Sequence, residues 1–162
     1  MRGIVGMLPW VIVLAIAGAA VWLLLDRQVV LGTWILAALI LGHGLVHALF
    51  MLRPPDPPAG RPGPRWPFDL GRSWLVALAG VRRGRRLGVV FVGVIVAASI
   101  LAALATVGVL PVAWWSALVV LAAVASLVLL VLAFDLQLVL GIGIDVALLV
   151  VVVTGAWTPA AP

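Results

Sequence analysis

The chain has 162 residues, 66% hydrophobic and 9% charged, with a formal net charge of +5. Soluble domains have about 25% charged and about 45–50% apolar residues, so too little polar surface is present here to coat a water-soluble globule. All of the charge is arginine and aspartate, with no Lys, Glu, Asn, Tyr or Cys; this excludes disulfides, thiolate chemistry, cysteine metal sites and the H-E-x-x-H protease motif.

Five apolar blocks follow one another, each near the roughly 20 residues that cross a bilayer core about 30 Å thick. The first, 7–25, ends at Asp26-Arg27-Gln28. Arg2 and the small residues 17–20 resemble a secretory leader, but VWLLL continues the apolar run beyond them, and a retained anchor helix is expected. The second block, 29–52, stops at Arg53-Pro54-Pro55.

The stretch 53–86 is a Pro/Arg-rich loop. Residues 53–65 have no apolar repeat and read as an extended linker. Asp69 is a candidate N-cap, and Leu70, Trp74, Ala77, Leu78 and Val81 recur at helical spacing. A short helix over about 69–81, lying in the membrane interface with Trp66 and Trp74 as anchors, is expected. Next, Arg82, Arg83, Arg85 and Arg86 stand beside the third block, where each adds about 1 kcal/mol of attraction to an anionic leaflet. The expected partner of this basic cluster is therefore anionic lipid headgroups, not nucleic acid.

The third block runs 87–110, up to Pro111, and the fourth 112–134. The fifth, 136–154, follows Asp135 and has Asp145 at its middle. A central Asp costs about 2.5–3.5 kcal/mol to insert, and each central Leu, Ile or Val returns about 0.3–0.6. Thirteen such residues lie in the block, and their sum of roughly 4–8 kcal/mol exceeds the cost of the acid.

Orientation follows from arginine. With five spans, Arg2 and the eight arginines of 53–86 share one side, and Arg27 stands alone on the other. The positive-inside rule then puts the N-terminus in the cytoplasm and the C-terminus outside. Trp22, Trp34, Trp114, Trp115 and Trp157 fall towards the outer interface, and Trp10, Trp66 and Trp74 towards the inner one.

Both histidines, His43 and His47, lie in the second block, one helical turn apart on one face. His43 is nine residues above the inner end of its span at Leu52, and Asp145 nine above Leu136. At 1.5 Å per residue both lie roughly 13 Å deep, so they meet near the midplane if their helices touch, with His47 lower, towards Asp135. Three uses are open. One is a structural hydrogen-bonded pair that fixes helix register. The second is a proton or ion path through His43, His47, Asp145 and Asp135. The third is a metal or haem site; two histidines on one turn cannot clamp one haem from both faces, and histidine-box enzymes need more of them. Ser73, Ser99, Ser116 and Ser126 read as ordinary packing or interface residues.

Small-xxx-small pairs that admit close helix approach occur at Ala38/Gly42, Gly44/Ala48, Gly93/Ala97, Ala98/Ala102 and Ala122/Ser126. Gly141 and Gly143, just before Asp145, leave room for a neighbour against the acid, and the second span is the expected neighbour.

Taken together, GHGLVHALF (42–50), WPFDLGRSWL (66–75) and LGIGIDVALLV (140–150) resemble a family of small multi-spanning inner-membrane proteins of GC-rich bacteria whose function is not established. The resemblance covers residues 29 to 153 and implies an integral membrane fold, with no activity and no catalytic residue. The expectation is an all-α membrane helical bundle of about five transmembrane helices plus a short interfacial helix. It would be non-enzymatic and without cofactor, an accessory or structural component, as a homo-oligomer or in a membrane complex. The alternatives are a small proton-coupled transporter or ion-conducting protein, and a metal- or haem-binding subunit.

Overall fold

The computed structural model describes residues 15, 29–52 and 66–159. The expected first span (7–25), apart from Ala15, and the linker 53–65 lie outside the described residues, as does the chain after 159. Among the described residues the protein is all-helical, with no strand. Helix α1 (Val29–Val46) continues as a 3₁₀ turn, His47–Met51. After the 3₁₀ turn Leu70–Arg72 come α2 (Trp74–Ala79) and α3 (Val81–Thr106). A 3₁₀ turn, Val112–Trp114, leads into α4 (Trp115–Leu132), and another, Leu136–Leu138, into α5 (Val139–Thr154). Among the described residues, four segments are long and apolar enough to cross a membrane: Leu31–Met51, Val81–Thr106, Val112–Leu132 and Leu136–Thr154.

Three boundaries differ from expectation. The 69–81 helix is split. Asp69 does cap its start, accepting from Gly71 N at 2.8 Å, but Ser73 is extended (φ −73°, ψ 150°). The Ser73 hydroxyl donates to Leu70 O at 2.6 Å and accepts from Val76 N at 3.4 Å. A serine that satisfies both backbone ends in this way stops one helix and starts the next. The third apolar block, in turn, becomes helical at Val81, six residues before Leu87, because Gly80 (φ 78°) ends α2 and turns the chain at once into α3. Arginine is a good helix former, so Arg82–Arg86 belong to the helix and not to the loop before it. At 26 residues, α3 is about 39 Å long. Its far end comes at Thr106, short of Leu110, where Gly108 (φ 78°) lets the chain turn back.

Helix α3 is the hub, packing against α1, α2 and α4, while α5 packs on α4. The approach of α1 to α3 requires a glycine: a Cβ on Gly44 would collide with Cβ and Oγ of Ser99. The same holds where α2 crosses α3, since a Cβ on Gly84 would fall 2.7 Å from the Val76 Cα. Of the small-residue pairs, Ala98/Ala102 and Ala122/Ser126 are buried, whereas a Cβ on Gly42 or Gly93 would meet nothing within 4 Å.

Two apolar clusters form the core. One joins Ile40, Ala102, Ala105, Trp115 and Val119; the other includes Phe50, Leu70, Ile95, Leu129 and Leu138. Trp115, expected at the outer interface, is instead 1% exposed. Its indole donates to Thr106 Oγ1 at 3.0 Å, and that hydroxyl donates to Ala102 O at 2.8 Å. A buried indole N–H needs such an acceptor, and this one ties α4 to the end of α3. On α5, Val146, Val150 and Val153 face away from the protein, exposed.

Candidate functional site

Between the two clusters along α1, after Ile40 and before Phe50, lies a buried polar network. His43 Nε2 is 2.9 Å from Asp145 Oδ1. Asp145 Oδ2 is 2.5 Å from Ser126 Oγ, and Ser126 Oγ is 2.8 Å from His47 Nε2. The ring closes through His47 Nδ1, which donates to the His43 carbonyl at 3.0 Å. His47, Ser126 and Asp145 are each 2% exposed or less. The members come from α1 and its 3₁₀ extension, from α4 and from α5, so three separate segments are joined at one level.

Why the chain folds this way locally follows from spacing. His43 and His47, four residues apart, stack on one helix face with ring centroids 5.2 Å apart in a T-shape. Asp145 points inward from α5, and Gly141, one turn earlier on the same face, leaves space for the imidazole. A Cβ there would lie 3.0 Å from Leu130 Cδ1 and 3.7 Å from His43 Cε1. Gly143 would meet nothing within 4 Å. Helix α5 packs on α4, and α1 reaches the acid through His43.

His43, His47 and Asp145 are brought together, directly or through Ser126. Both His47 nitrogens are engaged, and Asp135 Oδ1 accepts from Gln137 N at 3.1 Å as the N-cap of the turn into α5. His47 thus spends both ring nitrogens within the network and not on a direct hydrogen bond to Asp135. Ser126, read from sequence as an ordinary packing serine, is the link between the acid and the second histidine. Depth counting flags it: it lies eight residues from the end of its block at Phe134, about 12 Å, close to the depth counted for His43 and Asp145.

The ring stack extends towards the other end of the protein. His47 lies 6.4 Å from Phe50, Phe50 lies 5.2 Å from Phe68, and Phe68 lies 5.6 Å from Trp66, centroid to centroid. The stretches 42–50, 66–75 and 140–150 thus meet in one assembly, the first two through Phe50 and Phe68, the first and third through His43 and Asp145.

Of the residues expected at lipid headgroups, Arg82, Arg83, Arg85 and Arg86 are exposed on the first turns of α3. Trp74 is exposed as well, at 63%. Trp66 differs: it is half-buried, and its indole nitrogen is buried without a hydrogen-bond partner among the described residues. Packing on Phe68 turns this ring into the protein. Among the described residues, no group of three or more His, Cys, Asp or Glu is placed to hold a metal ion.

Comparison with family models, curated proteins and solved structures yields no match to this chain.

Proposed function

We propose that the chain is a non-enzymatic polytopic membrane protein, an accessory or structural component of a bacterial inner membrane, whose helices are locked together by the His43–Asp145–Ser126–His47 network. One observation carries the reading: four polar side chains from three segments satisfy one another inside otherwise apolar helices. Lipid offers no hydrogen bonds, so polar groups within a span must find partners in the protein. Such a network fixes depth and rotation of each helix, because a slip of one residue would leave a donor or acceptor unmatched.

In the proposed frame, five spans put the N-terminus in the cytoplasm and the C-terminus outside. The length of α3, about 39 Å, exceeds the hydrocarbon core of about 30 Å, which leaves its arginine-bearing turns at the level of the cytoplasmic headgroups. There Arg82, Arg83, Arg85 and Arg86 attract anionic lipid, and the exposed Trp74 lies in the same zone. Membership of a family of small inner-membrane proteins of GC-rich bacteria, and assembly as a homo-oligomer or with a membrane partner, belong to the same proposal.

Because the chain has no cysteine, single introduced thiols report topology directly. A membrane-impermeant reagent added outside intact cells labels Pro162→Cys and leaves Arg65→Cys unlabelled. Labelling of both, or of the second alone, overturns the five-span frame.

A second reading, a proton- or ion-conducting protein, draws on one specific feature. The hydrogen bonds form an unbroken chain, and His43, whose side chain is 11% exposed, is its most accessible member. Under this reading, proton flux into liposomes holding the purified protein disappears in both His43→Ala and Asp145→Asn. Flux that is absent from the native protein, or that survives both changes, removes it.

A further inference from the structure

Counting protons in the network leads beyond its role as a lock. A backbone carbonyl only accepts, so the contact between His47 Nδ1 and the His43 oxygen requires the hydrogen on Nδ1. His43 Nε2 faces a carboxyl oxygen, Asp145 Oδ1, and donates to it whenever any proton on the acid sits on Oδ2. The two imidazoles therefore hold their fixed protons on opposite nitrogens, His43 on Nε2 and His47 on Nδ1.

Two links remain, and both end on Ser126 Oγ: one to Asp145 Oδ2 and one to His47 Nε2. A hydroxyl has one hydrogen to give. If Ser126 donates to Asp145, then His47 Nε2 must donate to Ser126, and the network holds a carboxylate and an imidazolium. If Ser126 donates to His47, then Asp145 Oδ2 must donate to Ser126, and all four side chains are uncharged. The two arrangements contain the same protons and fill the same hydrogen bonds. Burial disfavours the charge-separated form, and the attraction of opposite charges at short range favours it; neither form loses a hydrogen bond.

We infer that Ser126 is a proton shuttle between Asp145 and His47. The step is a paired transfer. The Asp145 Oδ2–H bond breaks as a new O–H bond forms on Ser126, and the original Ser126 O–H bond breaks as N–H forms on His47 Nε2. No other reactant enters, and the reverse step restores the start. This deepens the site on which the proposed function rests, yet it does not require that protons cross the membrane: internal exchange and transmembrane flux are measured separately.

With only two histidines in the chain, ¹⁵N-histidine labelling of the full protein in detergent micelles resolves both rings by NMR. The expected result is His43 protonated on Nε2 and His47 protonated on Nδ1. The His47 Nε2 resonance should lie between the limits for a protonated and a bare ring nitrogen, averaged by exchange. Asp145→Asn keeps both hydrogen bonds of the acid but removes its labile proton. The amide then donates to Ser126, whose hydroxyl can only turn to His47, so Nε2 shifts to the bare limit. Ser126→Ala cuts the path and drives Nε2 to one limit or the other. Helix content by circular dichroism checks that each variant is folded, and Asp145→Asn serves alone if the alanine variant is not. A native His47 Nε2 resonance already at either limit, or a His47 bare at Nδ1, overturns the shuttle. Either result leaves the topology and flux experiments to decide the membrane reading independently.

Discussion

Replacing Ser126 by alanine removes one oxygen atom and tests the central link of the network. The hydroxyl bridges Asp145 Oδ2 at 2.5 Å and His47 Nε2 at 2.8 Å, and the residue is fully buried. Asp145 keeps its bond to His43, and His47 keeps its bond to the His43 carbonyl, so the loss is confined to the two groups that faced the serine. Side-chain hydrogen bonds between membrane helices average about 0.6 kcal/mol and reach about 1.7, whereas a buried group left unmatched costs about 1–3. Two lost links therefore put the destabilisation at about 1–3 kcal/mol. Reversible unfolding in mixed detergent micelles, followed by circular dichroism, measures it. Ser116→Ala is the control, because Ser116 is exposed on the same helix and its loss should stay within about 0.5 kcal/mol. If the two variants unfold alike, Ser126 is a packing serine and the reasoning about the network fails.

Other outcomes follow from the same geometry. His43→Ala and Asp145→Asn should destabilise non-additively, with an interaction energy above about 0.5 kcal/mol in a double-mutant cycle; strict additivity would show that the side chains do not meet. Gly44→Ala places a methyl group on Ser99 and should cost about 1–3 kcal/mol by overpacking. Gly42→Ala, which meets nothing within 4 Å, should be neutral or stabilise by up to about 1 kcal/mol; equal losses in unfolding experiments would contradict the close approach of α1 to α3. Trp115→Phe and Thr106→Val each remove the indole–hydroxyl bond and should each cost about 0.5–1.5 kcal/mol, with little further loss in the double variant.

Different parts of this structure were legible in the sequence to different degrees, for physical reasons. Apolar runs the length of a bilayer core marked all four of the described segments able to cross a membrane, because hydropathy sums over many residues and tolerates local error. The His43–Asp145 meeting came from depth counting, which works where a helix rises by a constant amount per residue. Helix ends were harder. The start of α3 at Val81 depends on Gly80 adopting φ 78°, and no hydropathy signal marks that turn. The break at Ser73 depends on one hydroxyl competing for the backbone. Ser126 was missed because a serine among alanines and valines packs helices more often than it bridges charges; only its depth, matched to His43 and Asp145, set it apart. Trp115 was placed by a rule about interfaces, whereas its burial depends on Thr106 supplying an acceptor nine residues earlier.

Among the described residues α5 packs chiefly on α4, with Val146, Val150 and Val153 turned outward, and this bears on how the protein is made. Synthesis runs from the N-terminus, so the ribosome delivers His43, His47 and Ser126 before Asp145. In the proposed membrane frame the acid enters the bilayer when its imidazole and hydroxyl partners already stand there, and α5 can dock laterally onto the segments made before it. Chains halted after Leu132 would leave those partners waiting in lipid, the state in which membrane quality control has most to recognise.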